Sequence, residues 1–171
     1  MIVVVMGVCG CGKTTVGRAL ANQLGWKFFD ADDFHPQANV AKMAKGVALT
    51  DEEREPWLDR LAAEIRAVVR KGQHAVLACS ALKESYRQRI ARGMENSGDH
   101  AGSEVRIVYL KGDAQTIEPR LALRSGHYMP PSLLASQFAA LEEPEDAMVI
   151  DIRQTTEAQA AQIAAALRST V

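Results

Sequence analysis

The chain is short of cysteine, has no long apolar run and carries almost no net charge. Each shortage excludes a class of protein. Its 171 residues include three cysteines, Cys9, Cys11 and Cys79. Three cannot all pair, and two of them share one tight loop, so a reduced, cytoplasmic protein without structural disulfides is expected. No apolar stretch approaches the roughly 18 to 20 residues that span a bilayer. The opening Met1-Ile2-Val3-Val4-Val5 has neither the basic flank nor the length of a signal-peptide core. Lys plus Arg number 20 against 21 Asp plus Glu, a formal charge of −1, whereas a chain that coats nucleic acid shows a basic excess. Neither a membrane nor a nucleic acid is therefore expected as a partner. Internal repeats, an interdomain linker and a second Cys/His cluster are also missing. The length suits one domain, residues 1–171, with a sizeable core.

What is present alternates. Ile2–Met6, Lys27–Phe29, Ala75–Cys79, Val105–Leu110 and Met148–Ile152 are short apolar runs, the pattern of parallel strands covered on both faces. Helical spacing fills the gaps. Trp57, Leu61, Ile65, Val68 and Val69 form one apolar stripe, with Thr50 and Glu53 as a capping box ahead of it. Pro56 is expected to separate an initial turn from the main helix. Pro119 is expected in the first turn of a helix capped by Thr116. Thr156–Leu167 is an alanine-rich final helix, and the polar stretch Gly93–Glu104 is a surface loop. Alternation of this kind predicts a doubly wound α/β domain.

The first strand runs into Gly7-Val8-Cys9-Gly10-Cys11-Gly12-Lys13-Thr14-Thr15, which fits G-x-x-x-x-G-K-[ST] at every fixed position. Polyphosphate needs many donors close together. Glycines let the chain curl so that successive N–H groups point inward, and a following helix adds positive potential. Lys13 would reach the β- and γ-phosphates, and the Thr14 hydroxyl would ligate Mg²⁺. Reading Cys9 and Cys11 as metal ligands is poorer, because a structural zinc site wants four ligands.

The acceptor of that phosphate needs other residues. No [NT]-K-x-D guanine signature occurs, and Asp99-His100-Ala101-Gly102, a formal D-x-x-G, lies in the polar loop with no strand leading into it. A second run ends in Phe29-Asp30-Ala31-Asp32-Asp33-Phe34-His35-Pro36. Carboxylates at the carboxyl end of a neighbouring parallel strand face the ligand crevice. Asp30 can orient Mg²⁺ or its waters and Asp32 can take a proton from a hydroxyl. Equally, Asp32 and Asp33 can cap a helix that starts near Phe34.

Taken together, MGVCGCGKTTVG, DADDFHP, NVAKMAKGVALTDEEREPWL, CSALKESYR, IVYLKG, SGHYMP and LLASQFAALEEP resemble the gluconate kinase (gluconokinase) family over nearly the whole chain. The DADDFHP, PWL and SALKESYR blocks are more specific than the phosphate loop. The resemblance implies ATP-dependent phosphorylation of the 6-hydroxyl of D-gluconate. It also implies a P-loop αβα fold with a five-stranded parallel sheet, a helical substrate-binding region and a mobile lid near residues 124–136, commonly as a homodimer. Cys9 and Cys11 stand where the family usually has serine, and Thr14 where serine is common.

On this footing the cofactors are ATP and Mg²⁺, the latter at Thr14 and Asp30. The phosphate cradle is Gly7 to Thr15. Lys13, Asp32 and Arg124 are the candidate catalytic residues, with Asp32 as base. Arg54 suits the substrate carboxylate, since guanidinium grips it through two bonds; the alternative is a solvated helix charge paired with nearby glutamates. His35 serves a substrate hydroxyl or steadies the turn before Pro36. Lys83 and Arg87, four apart on a helix face, can act together, one or both of them lining the same site. Arg120 and Arg124, also four apart, precede the lid segment Ser125-Gly126-His127-Tyr128-Met129-Pro130-Pro131 and close onto the transferring phosphate, the alternative being a basic helix end. Gln137 is a further substrate candidate, and Arg153 is carried over to the adenine end. A kinase for shikimate or another sugar acid, and a non-catalytic ATP-binding regulator, are the competing readings.

Overall fold

A computed structural model describes residues 1–95, 105–123 and 133–169, with side chains omitted at 93–95. Five strands form one sheet: β1 (Ile2–Met6), β2 (Lys27–Asp30), β3 (Ala75–Ala78), β4 (Val105–Lys111) and β5 (Met148–Asp151), in the order β2-β3-β1-β4-β5. Every pairing is parallel, with Val4 of β1 opposite Leu77 of β3 on one side and Ile107 of β4 on the other. The β-branched run of β1 thus sits at the centre, and all five of its residues are fully buried.

Strand alternation divides β1 between two cores. Val3 and Val5 pack with Val16 and Leu20 of α1 (Lys13–Leu24), Ile117 and Leu121 of α5 (Ala114–Ala122), and Ile163 and Leu167 of α7 (Thr156–Arg168). Ile2, Val4 and Met6 pack with Trp57, Leu61 and Ile65 of α3 (Asp51–Arg70) and with Tyr86 and Ile90 of α4 (Glu84–Glu95). The result is a three-layer αβα sandwich. Each of these aliphatic side chains contributes roughly 1.5–3 kcal/mol by leaving water. Two shorter helices, α2 (Gln37–Ala44) and α6 (Leu134–Ala140), stand over the carboxyl ends of the strands.

Local signals set the boundaries. Gly25 ends α1 with a left-handed φ of 68°. Thr50 and Glu53 form the expected capping box at the start of α3. Pro56 does not divide that helix, which runs unbroken from Asp51 to Arg70. At its sixth position proline removes one backbone bond near the amino end, and the buried Trp57–Val69 stripe outweighs the loss. The cap of α5 is Asp113, whose carboxylate accepts from Thr116 N at 2.7 Å. Thr116 is not the cap, and Pro119 lies inside the helix. Neither Asp32 nor Asp33 caps α2, which starts after Pro36 without a side-chain cap. They lie in a 3₁₀ turn, Ala31–Phe34, capped by Asp30. Residues 96–104 of the expected surface loop and residues 124–132 of the expected lid lie outside the described residues.

Candidate active site

The loop after β1 turns through positive φ at Gly7 (143°), Gly10 (81°) and Gly12 (100°) before α1 begins at Lys13. Cys9 to Gly12 of this loop and the amino end of α1 line a cavity of about 420 Å³ together with Asp30, Asp32, Cys79 and Ser80. Gly7 N donates to Ser80 O at 3.4 Å, tying the loop to the end of β3. Lys13 Nζ donates to Val8 O at 2.9 Å. Desolvation pulls the Lys13 pKa down, but the acidic groups around it, Cys11 and Asp32 foremost, outweigh that and raise it. The side chain is therefore a cation at neutral pH, poised over the cradle.

Hard oxygen donors meet at one wall. Thr14 Oγ1 donates to Asp30 Oδ2 at 2.7 Å, while Asp30 Oδ1 accepts from Asp32 N at 3.1 Å. A hydroxyl beside a carboxylate, facing a polyphosphate cavity, fits Mg²⁺, which takes one or two protein oxygens and completes its shell with water and phosphate. No cluster of three or more His, Cys, Asp or Glu with metal-site geometry occurs among the described residues.

A second cavity, of about 230 Å³, opens beside the first. It is lined by His35, Arg54, Trp57, Lys83, Tyr86 and Gln137, among others, and it shares Asp32 and Ser80 with the phosphate cavity. His35 stacks on Trp57, ring centroids 4.3 Å apart at 11°. Trp57 is itself anchored by Nε1 donating to Ala31 O at 2.7 Å. Burial holds His35 at a pKa of about 4, Asp32 pulling the other way, so the ring is neutral at physiological pH. Arg54 donates to Leu49 O and lies with its guanidinium carbon 5.6 Å from the centre of the Tyr86 ring. Gln137 Oε1 accepts from Cys9 N at 2.6 Å, joining α6 to the phosphate loop.

The structure thus brings together Lys13, Thr14, Asp30, Asp32, His35, Arg54, Lys83 and Gln137 around two adjoining spaces. Arg120 reaches the phosphate cavity at the far end from β2, where its Nη2 donates to Ile152 O at 2.9 Å. Arg87 is not brought to either cavity. It is buried, and its guanidinium donates to Ala81 O, Leu82 O and Glu84. Ala81 holds a φ of 44°, an L-residue conformation that costs about 1–2 kcal/mol, so Arg87 fixes the strained turn that forms one wall of the acceptor cavity. Arg153 lines neither cavity, although its neighbours Ile152 and Gln154 line the first; it is exposed and paired with Asp151 at 2.5 Å. Arg124 lies outside the described residues.

Sequence reasoning missed Asp51 and Tyr86. Asp51 accepts from Lys83 Nζ at 2.7 Å and from the Tyr86 hydroxyl. The only sequence signal for either was membership of the blocks DEEREPWL and SALKESYR. The three cysteines are buried and none forms a disulfide, and burial pushes the Cys79 thiol up to about 12. No helix among the described residues is long and apolar enough to cross a membrane.

Comparison with known proteins agrees with the fold. An AAA domain family model matches residues 2–144. A protein named probable gluconokinase from Mus musculus is 50% identical over 152 residues, covering 84% of this chain and 83% of the mouse protein. A crystal structure of a sugar kinase from Janibacter sp. superposes with a TM-score of 0.87 at 40% identity, covering 98% of this chain and 94% of that one. A gluconokinase structure from Sinorhizobium meliloti gives 0.76 at 35% identity, covering 98% and 95%.

Proposed function

The chain belongs to the gluconokinase family, and from that membership we propose that it transfers the γ-phosphoryl group of ATP to the 6-hydroxyl of D-gluconate. The observation that carries the reading is the position of Asp32, on the shared wall of the phosphate and acceptor cavities. A nucleotide whose phosphates lie on the Gly7–Thr15 amides presents its last phosphorus toward that wall. A polyol acid in the second cavity presents a hydroxyl to it from the other side.

Phosphoryl transfer asks for positioning and charge neutralisation more than covalent chemistry. The loop amides and Lys13 hold the phosphate oxygens. Thr14 directly, and Asp30 through water, would hold Mg²⁺, which when bound neutralises charge on the phosphates. Asp32 accepts the hydroxyl proton as the new oxygen–phosphorus bond forms and the bond to the β-phosphate oxygen breaks, leaving ADP. Arg54 and Lys83 receive the carboxylate, and neutral His35 on its Trp57 shelf hydrogen-bonds a hydroxyl. Gln137 keeps the acceptor wall in register with the phosphate loop through Cys9 N. Arg124 and the lid complete the proposal. The same membership supports a homodimer acting on a small molecule in the cytoplasm.

The test is a coupled assay of ADP release with Mg²⁺, ATP and D-gluconate, with shikimate as the control acceptor. Gluconate is expected to saturate the enzyme and shikimate to give no turnover. Asp32→Asn is expected to lower kcat by roughly 10²- to 10⁴-fold while ATP still binds. A variant that turns over at the parent rate removes Asp32 as the base.

A further inference from the structure

Asp51, the first residue of α3, has no role in the chemistry above, yet it touches both cationic side chains of the acceptor cavity. Its two carboxylate oxygens accept from Lys83 Nζ at 2.9 and 2.7 Å. One of them also takes the Tyr86 hydroxyl and lies 3.7 Å from Arg54 Nη1. All four residues line the same cavity. Asp51 is more than half exposed (54% of its side chain), and Lys83 less so at 30%, so the cluster sits toward solvent, whereas Asp32 faces the phosphate loop.

The cluster therefore offers an incoming anion two cations that already share one fixed carboxylate. Two hydrogen bonds from Lys83 and one from Tyr86 fix those side chains on Asp51, and Arg54 is held in turn by Leu49 O and, at 3.4 Å, by the Tyr86 hydroxyl, so two otherwise long, rotamer-rich cations are preformed. The same carboxylate repels any second carboxylate that binds beside it. Resting on the reading that gluconate's acid group is held by Arg54 and Lys83, we propose that Asp51 sets the strength of that hold. It orients Arg54, Lys83 and Tyr86 for the acid group, and as a fixed negative charge it limits their grip. The acid group does not change during transfer and remains on the product. Binding energy spent on it is uniform across substrate, transition state and product, so it lowers KM without raising kcat and slows product departure. A neighbouring carboxylate keeps the site oriented without making it sticky.

Two substitutions separate orientation from charge. Asp51→Asn keeps an oxygen acceptor for Lys83 and Tyr86 and removes the charge. At low ionic strength it is expected to lower the KM for gluconate, and the inhibition constant of 6-phosphogluconate, by about three- to tenfold. That gain is expected to shrink in about 0.5 M salt, where charges at the solvent edge are screened. Asp51→Ala removes the acceptor too and is expected to raise the KM, with thermal melts confirming that both variants fold. An Asp51→Asn enzyme whose KM is unchanged or higher overturns the proposal. Lys83→Met distinguishes that failure from failure of the underlying reading. If its KM for gluconate rises tenfold while Asp51→Asn changes nothing, the role of Asp51 alone is lost. If Lys83→Met leaves the KM unchanged, the acid group binds elsewhere, and both ideas fall.

Discussion

In the phosphate cavity the lining groups include one contiguous stretch, Cys9 to Val16, with the ends of β2 and β3 and the β5–α7 connection around it. In the acceptor cavity they are side chains contributed by the turn before α2, by α3, by the β3–α4 connection, by α4 and by α6. The two spaces share Asp32 and Ser80, but they answer to different physics. A nest of amides depends on backbone torsions, which few residue types satisfy, and is indifferent to most side chains that decorate it. A ring of side chains tolerates its backbone and depends on cross-supports such as Trp57 under His35, Asp51 between Lys83 and Tyr86, and Arg87 behind Ala81.

The sharpest way to break this contrast is at Gly7. Its φ is +143°, and a Cβ there would stand 2.8 Å from Cys11 Sγ and 2.9 Å from the backbone oxygen of Leu110. The sulfur can shift by a few tenths of an ångström; the strand carbonyl cannot. Gly7→Ala is expected to cost roughly 2–3 kcal/mol in strain and to weaken ATP binding about a hundredfold or more, read by calorimetric titration. Gluconate binding should suffer far less. Equal losses at both sites would show that the cavities are not separately built.

The same contrast explains what the sequence disclosed. A backbone site must be contiguous, so G-x-x-x-x-G-K-[ST] after a buried apolar run was legible in full, as were the strands, whose alternation between two cores follows from period two. The capping box at Thr50 and Glu53 was legible because its partners are three residues apart. Asp51 and Tyr86 were not, because they meet only through the packing of α3 on α4 across 35 positions. Arg87 was assigned to the acceptor on its spacing from Lys83. But α4 starts at Glu84, and the strained turn at Ala81 claims the guanidinium. The prolines misled for a related reason: one missing backbone bond is a local signal, and the cost is small beside a buried stripe of seven residues in α3.

A titration sharpens the comparison more gently. Amides do not titrate between pH 4 and 7, but a histidine does in the unfolded chain. The pKa of His35 is about 4 in the fold against an ordinary 6.5, chiefly through burial. Between those values the unfolded chain takes up a proton that the native one refuses. Stability from this source is therefore complete above pH 6.5, declines as the pH falls towards 4, and declines no further below it. Allowing for the partial exposure of the ring, the amount is about 1–2 kcal/mol. His35→Gln is expected to flatten the fall in unfolding free energy, read from denaturant melts, between pH 7 and 4.5 by about that much. A variant with the parent's pH profile would mean that His35 is protonated in the native state and the cavity is wetter than its packing implies.

The smallest effect is expected at Cys9, and smallness is what the comparison requires there. Cys9 contributes its N–H to Gln137 and its side chain, 6% exposed, to the core against α1 and α5. Cys9→Ser leaves the amide and the loop torsions in place and exchanges a weakly polar thiol for a hydroxyl. Burying that hydroxyl costs about 1 kcal/mol, visible as a lower melting temperature. The KM for ATP should stay within about twofold of the parent, because the proposed hold on the phosphates is by backbone, Lys13 and Thr14 rather than by the ninth side chain. A tenfold change would mean that the sulfur itself meets the nucleotide or sets the pitch of the loop, and the division between a backbone site and a side-chain site would have to be redrawn through Cys9.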